Sequence, residues 1–345
     1  MSSEPAPEVS IVVTAHNEAA HIRRMLSSLS RQSGSFEVLL VDDRSEDATL
    51  AEARAAELDN LRILEAAPDM GIALTTRQQA LDLGFRAARG QVIVTLDADG
   101  IAPPGWVAAM AAPILSGRAD AVAGPVTFGG GGAGGLIARW QTCDAAYYLS
   151  MSSLISRAGL GGGVFFGNFA FRAGLYADIG GFAAIGPSVT EDLAFAQALQ
   201  KAGARLRYAD REVAVAVEAC GSFSELVART LRVTRAPFSP LAAVLTLVPL
   251  TLLIAAIWAA LDLRGGSEAL AIRYGAGALF AVWAVRRNSR SQAAVFALFY
   301  EPLVFVLAAV AAVARLRRGS GIEWGGRRYD EGSHAKPLAR HDPKA

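Results

Sequence analysis

Residues 241–261 read LAAVLTLVPLTLLIAAIWAAL, a run of 21 residues without a charge. A helix that is apolar on every side has no place on the surface of a soluble fold, and this one is just long enough to cross a hydrocarbon layer of about 30 Å. Residues 293–314 form a second full-length apolar stretch, broken only by Glu301 and Pro302. Between them residues 269–285 are shorter and hold Arg273, which suits a tilted span or a re-entrant segment. Residues 236–318 are therefore expected to be a membrane region with at least two spans. RRNSR (286–290) and RLRRG (315–319) both favour the cytoplasmic side. Because they flank opposite ends of the last stretch, charge alone leaves the topology open.

Composition agrees with a chain of two characters. At 345 residues it exceeds one comfortable core, and 52% hydrophobic against 19% charged residues points to lipid contact. Lys plus Arg minus Asp plus Glu is 33 − 32 = +1, which gives no field for a polyanion and argues against a nucleic-acid partner. Cys143 and Cys220 have no metal-ligand spacing and are too few for a disulfide framework, as in a reducing compartment. Residues 1–8 are polar and acidic, and the apolar run 9–14 is too short for a signal-peptide core. A disordered N-terminus is expected at 1–8, a domain facing the cytoplasm at 9–235, and a polar tail at 319–345.

From Val9 to about residue 125, short β-branched runs (VSIVV, FEVLLV, QVIVTL) alternate with helix-like segments at 18–31 and 47–58. Runs that are apolar throughout suit strands covered on both faces, so the expected fold is α/β: a mostly parallel sheet with helices on both faces and right-handed crossovers. TFGGGGAGG after Val126 lacks the Gly-Lys-Ser/Thr of a phosphate loop and reads as a hinge. A helix is expected at 136–155 and another opening at TEDLAF.

VTLDADG (94–100) ends an apolar run on Asp97 and Asp99. In an extended segment residues i and i+2 point the same way, here beyond the carboxyl end of a strand, where open α/β sheets bind ligands. Two carboxylates suit a magnesium-type ion that fills its other positions with water and phosphate oxygens. The same DxDG looks like the nucleophile motif of haloacid-dehalogenase-type phosphatases. Its partners are missing: of the three lysines, Lys201 is followed by no second acidic pair.

The ordered set VVTAHNE, FEVLLVDDRS, LDAD and TEDLAF resembles the family 2 glycosyltransferases over Val9 to about Arg235, and the apolar tail is similar to that of membrane-bound members that glycosylate lipids. The resemblance implies the glycosyltransferase A fold, a nucleotide-sugar donor and Mg2+ or Mn2+ held by Asp97 and Asp99. Glu18, Asp42, Asp43, Arg77 and Asp97 then fall in the donor site, with Gln78 standing where asparagine is frequent. Glu191 and Asp192 match the catalytic position, Asp192 as general base, although Thr190 before two acids also suits an N-cap with first-turn charge. Arg232 and Arg235 match an Arg-x-x-Arg motif that meets the leaving diphosphate, with Ala236 in place of its tryptophan; an ordinary basic membrane flank reads the same way. Asn168 and Arg172 lie in the segment implied to touch the acceptor. IEWGGRRY (322–329) is similar to a signature after the last span of lipid-glycosylating members.

The implied reaction is inverting transfer from a UDP-hexose, or GDP-mannose, to a hydroxyl of a membrane lipid such as a carotenoid, hopanoid, sphingolipid, diacylglycerol or polyprenyl phosphate. The alternatives are a processive polysaccharide synthase and a catalytically silent nucleotide-sugar-binding membrane protein. The expected location is the inner membrane, multi-pass.

Overall fold

Val9–Ala15 (β1) is buried at every position, and this continuous burial fixes it as a central strand. A computed structural model of the chain describes residues 6–67, 74–129, 135–233, 239–290, 294–318, 322–324 and 327–329. The chain continues through α1 (Ile22–Leu29), β2 (Phe36–Asp42), α2 (Thr49–Arg54), β3 (Leu61–Glu65), α3 (Thr76–Ala87), β4 (Val92–Asp97) and α4 (Trp106–Leu115). Next come β5 (Ala121–Ala123), β6 (Val126–Phe128), α5 (Leu136–Arg157), β7 (Phe169–Arg172), α6 (Gly174–Asp178) and α7 (Gly181–Ile185). Then follow α8 (Glu191–Lys201), β8 (Leu206–Tyr208), β9 (Val215–Val217) and α9 (Phe223–Val233).

The main sheet has seven strands in the order β3-β2-β1-β4-β7-β5-β8. β1 to β4 run parallel, whereas β7 is antiparallel to both neighbours, so the sheet is mixed and mostly parallel. Both faces are covered. Ile11, Val13, Val38, Leu40 and Val94 pack with Met25 of α1 and Trp106 of α4. Val12, Leu39 and Ile93, one position out of phase, pack with Phe85 of α3 and Phe195 of α8 on the other face. Phe85 sits 5.2 Å from Phe171 and 5.1 Å from Tyr176, ring to ring. β6 and β9 form a separate parallel pair, joined through Ile101 opposite Ala216 to the loop that leaves β4. The glycine run expected as a hinge lies mostly at 130–134, outside the described residues.

The C-terminal third is helical: α10 (Pro240–Ala260), α11 (Gly266–Asn288), α12 (Ala294–Ala297) and α13 (Tyr300–Arg318), followed by a short antiparallel pair β10 (Ile322–Trp324) and β11 (Arg327–Tyr329). Among the described residues, α10 and α11 are the two helices long and apolar enough to cross a membrane. In the second half of this region the helices divide differently from the apolar stretches of the sequence. The segment carrying Arg273 is a full-length helix, and the stretch at 293–314 is divided between α12 and α13. Arg273 is tolerated because it is paired: its Nη1 lies 2.9 Å from Glu301 Oε2, its Nη2 donates to the Val248 carbonyl at 2.7 Å and its Nε to Thr251 Oγ1 at 2.6 Å. A Cβ on Gly277 would stand 2.6 Å from Glu301 Oε2, so the pair needs glycine there.

Candidate functional site

The parallel strands place their carboxyl ends in one row, where Ala15 faces Asp42 and Thr14 faces Asp97. A cavity of about 330 Å³ opens beyond that row. Asp97 ends β4, and Gly100 N donates to the Asp97 carbonyl at 2.9 Å, closing a turn. The two carboxylates of this motif therefore converge through a turn rather than through strand alternation. Both line the cavity. Asp99 Oδ2 accepts from Glu218 N at 3.0 Å. Burial first, then the charges of Asp97 and Glu18, pushes the Asp99 carboxyl up to about 6.

Arg77, in the first turn of α3, connects the strand row to the opposite wall. Its Nη2 lies 2.6 Å from Asp97 Oδ1 and its Nε 2.8 Å from Glu191 Oε1. The start of α3 is fixed by a capping box, in which Thr75 accepts from Gln78 N and the Gln78 side chain returns to Thr75 N. Gln78 does more than cap. Its Oε1 accepts from Ser188 N at 2.9 Å and its Nε2 donates to the Gly186 carbonyl at 2.9 Å, tying α3 to the loop that leads into α8. The residue that stands where asparagine is frequent is a buried clamp.

Glu191 and Asp192 open α8 on that wall, and both line the cavity. Thr190 makes no side-chain cap, so the capping interpretation of this segment fails; Asp192 Oδ1 instead accepts from Leu193 N at 2.8 Å. Burial, then the Glu191 charge, pushes the Asp192 carboxyl up to about 6, against the opposing pull of Arg232 and Arg77. Arg232 reaches the same cavity from the end of α9 and donates to the Val189 carbonyl at 3.1 Å. Burial holds its guanidinium below the usual arginine range. Arg235 lies outside the described residues.

The loops after β1 and β2 close the third side. His16 Nδ1 lies 2.7 Å from the Asp43 carbonyl oxygen, which puts its proton on that nitrogen. Asn17, in a left-handed conformation (φ 57°), takes a bond from Glu46 N on its Oδ1 at 2.8 Å. Glu18 and Asp43 line the cavity. Asp42 is buried and does not line the cavity: its Oδ2 accepts from Ser45 N at 3.1 Å, and its Oδ1 has no hydrogen-bond partner among the described residues.

Besides Asp42, two further sequence candidates do not line this space. Asn168 is fully buried: Trp106 Nε1 donates to its Oδ1 at 2.8 Å, and its Nδ2 donates to the Pro125 and Val213 carbonyls at 2.7 and 2.8 Å. Every polar atom of that amide serves the core. Arg172 pairs with Val92, the first residue of β4, so it stands at the opposite end of the sheet from Asp97, exposed and 3.4 Å from Asp178. Sequence reading also passed over His16, Phe128, Arg229 and Glu218, all in the cavity wall. Arg229 was legible in principle, since it repeats the Arg-x-x-Arg spacing one turn before Arg232; its guanidinium lies 4.6 Å from the centre of the Phe128 ring.

The donor chemistry fits a divalent cation. Asp97 and Asp99 share one corner with Glu18, and their mutual repulsion is what a cation would relieve. A Cβ on Gly167 would come 2.5 Å from Asp97 Oδ2, so glycine leaves that carboxylate its room. Among the described residues no group of three or more His, Cys, Asp or Glu forms a closed metal site. An ion held here would take its remaining ligands from water and phosphate oxygens.

Residues 10–180 match Glycosyl transferase family 2. Among curated proteins, dolichol-phosphate mannosyltransferase of Mycosarcoma maydis is 32% identical over 113 residues, 30% of this chain and 37% of that protein. Undecaprenyl-phosphate 4-deoxy-4-formamido-L-arabinose transferase of Shewanella sediminis is 37% identical over 105 residues, 28% and 30% of the two chains. The chain thus spans about a third of the length of the curated relatives it matches. Among solved structures, mannosyltransferase PcManGT from Pyrobaculum calidifontis in complex with GDP-Man and Mn2+ superposes with a TM-score of 0.54 at 18% identity, over 91% of this chain and 88% of that one, a likeness of fold. Through residues 10–180 the chain belongs to the family 2 glycosyltransferases, and its sheet has the glycosyltransferase A architecture.

Proposed function

We propose that the chain transfers a sugar from a nucleotide-diphosphate sugar, a UDP-hexose or GDP-mannose, to a membrane lipid, with inversion at the anomeric carbon. The observation that carries this reading is Arg77, which holds Asp97 on one wall of the cavity and Glu191 on the other. Donor site and base are thereby kept at a fixed spacing across one space. Asp97 and Asp99 would hold Mg2+ or Mn2+, which when bound neutralises charge on the departing diphosphate. Arg229 and Arg232 add positive charge on that side of the cavity. Asp192, half-buried and raised to about 6, is ionised at neutral pH yet basic enough to take the proton of an acceptor hydroxyl. The charges of Arg232 and Arg77 favour its ionised form.

The lipid acceptor is supported by α10, which begins beside this wall: Leu241 packs with Leu193, the residue after Asp192. The relatives named for dolichol phosphate and undecaprenyl phosphate favour a second reading, in which the acceptor is a lipid phosphate. Chemistry separates the two. A phosphate oxygen is already anionic at neutral pH and needs no base, whereas a hydroxyl does. The test is nucleotide release by detergent-solubilised protein given UDP- and GDP-sugars and a bacterial lipid extract, comparing the parent with Asp99→Ala and Asp192→Asn. Release that is abolished by chelator, by Asp99→Ala and by Asp192→Asn, with a new glycolipid, fits a hydroxyl acceptor. Turnover that survives Asp192→Asn fits a phosphate acceptor. Failure to bind any nucleotide overturns the proposal.

A further inference from the structure

The three long C-terminal helices, α10, α11 and α13, do not relate to the catalytic domain in the same way. α10 leaves it at Leu241, which packs with Ile155 of α5 and Leu193 of α8. α11 returns to it: Asn288 Nδ2 donates to Ser150 Oγ at 2.8 Å, Arg287 Nε lies 3.0 Å from Asp210 Oδ1, and Arg211 Nη1 donates to the Arg286 carbonyl at 3.2 Å. Both open ends of this hairpin are therefore at the domain, and its tip, with exposed Asp262 and Arg264, is at the far end. The legs carry exposed apolar side chains, including Leu250, Leu253, Ile254, Ile257, Ile272 and Leu279, a surface that only hydrocarbon covers favourably.

α13 behaves otherwise. At its start Tyr300 OH donates to Asp144 Oδ1 at 2.8 Å and its ring stacks on Trp140 at 5.2 Å, both on α5. Its body packs along α9, the helix that brings Arg229 and Arg232 to the cavity, and β10, which follows it, is again beside α9. A 19-residue helix is about 28 Å long. Had it crossed a bilayer from that start, the chain after it would lie at least that far from the domain.

We propose that this chain enters the bilayer as a two-helix hairpin, α10 and α11, and that α13, which begins beside Arg273 of α11 and packs along α9, ends on the side of the catalytic domain rather than crossing. The partner of the hairpin is a lipid bilayer. The inference rests on the membrane placement proposed above and not on the transfer chemistry. It removes the conflict in the charge pattern: with α13 not a span, RRNSR at 286–290 and RLRRG at 315–319 fall on one side, that of the catalytic domain, and the positive-inside tendency assigns that side to the cytoplasm.

The test is labelling of the full chain in sealed inside-out bacterial membrane vesicles with a membrane-impermeant maleimide. Cysteines are introduced one at a time as Arg118→Cys, Arg264→Cys, Arg290→Cys and Arg318→Cys, and the signal of native Cys143 and Cys220 is subtracted using the parent. Positions 118, 290 and 318 are expected to react in sealed vesicles, and 264 only after detergent. Protection of 318 beside a reactive 290 makes α13 a span and overturns the proposal. Reaction of 264 without detergent overturns it too, because the hairpin then fails to cross. Labelling does not depend on turnover, so loss of the glycosyl-transfer reading leaves this result standing.

Discussion

The two walls of the cavity are built on different principles. The wall proposed for the donor is a row of strand ends: Asp97 ends, and Asp43 follows, a strand buried along almost its whole length, and the ladders on either side fix where each stops. The opposite wall is made of helix ends, with Arg77 from α3, Glu191 and Asp192 from α8, and Arg232 from α9. No ladder joins these helices. The bodies of α3 and α8 pack through Phe85 and Phe195, but the ends that face the cavity are set by a handful of polar contacts, chiefly those of Gln78 and Arg77. A wall set by ladders transmits little when one side chain changes, whereas a wall set by side chains moves when one is lost.

The largest effect belongs to the residue whose chemistry has no substitute. Asp192→Asn should lower kcat by about 10²- to 10⁴-fold and leave the donor dissociation constant unchanged, because the donor wall is untouched. Isothermal titration with UDP beside initial rates checks both halves. A variant that loses donor binding as well would mean that the two walls are one unit. Arg77→Lys comes next. A lysine is a point charge and cannot span two carboxylates as a planar guanidinium does, and a misplacement of about 1 Å can cost about 10²-fold. Here kcat and donor affinity should fall together, since Arg77 belongs to both walls.

Acidity sharpens the contrast further. Asp192 and Asp99 both have carboxyls pushed up to about 6 by burial and like charge. Asp192 has to be ionised to serve as base, so the rate should drop steeply as pH falls below about 6. Stability moves the other way. The native state holds the Asp192 proton more tightly than the unfolded chain, whose value is near 3.8, so this group favours the fold at low pH and that contribution is lost as pH rises through about 6. Thermal midpoints of the parent, taken as the difference from Asp192→Asn between pH 4 and pH 7, should therefore decline with pH. A difference that rises with pH would place Asp192 in a more strongly paired setting, and a flat one in a solvated setting.

The same division decides what the sequence could disclose. Strand-end carboxylates are readable because an apolar run and the acid that ends it are contiguous, as in VTLDADG and VLLVDD. Helix-end residues are readable only where a family pattern marks them, as TEDLAF does. Glu218 has no such mark, Arg229 only the spacing it shares with Arg232, and the role of Gln78 depends on a loop more than 100 positions away. At residues 293–314 composition measures apolar length but not direction, whereas packing along α9 bears on the direction of α13. Arg273 left its segment open between a tilted span and a re-entrant one, because its partner, Glu301, sits on another helix.

Asn168 and Arg172, four residues apart in one motif, give the smallest effects and separate core from surface. Asn168→Ala removes the acceptor of Trp106 Nε1 and the donor to two buried carbonyls, which should cost about 1–3 kcal/mol of stability. Turnover of the folded fraction should be kept, since no polar atom of the amide faces the cavity. Arg172→Ala should change stability by no more than about 0.5 kcal/mol, the range for a surface substitution, because its ion pair with Asp178 is exposed on both sides. Its KM for the lipid acceptor should match the parent, as β7 carries it to the end of the sheet opposite Asp97. A raised acceptor KM in Arg172→Ala, with kcat unchanged, would mean that the acceptor extends around to that end, and the acceptor wall would then be larger than the helix ends alone.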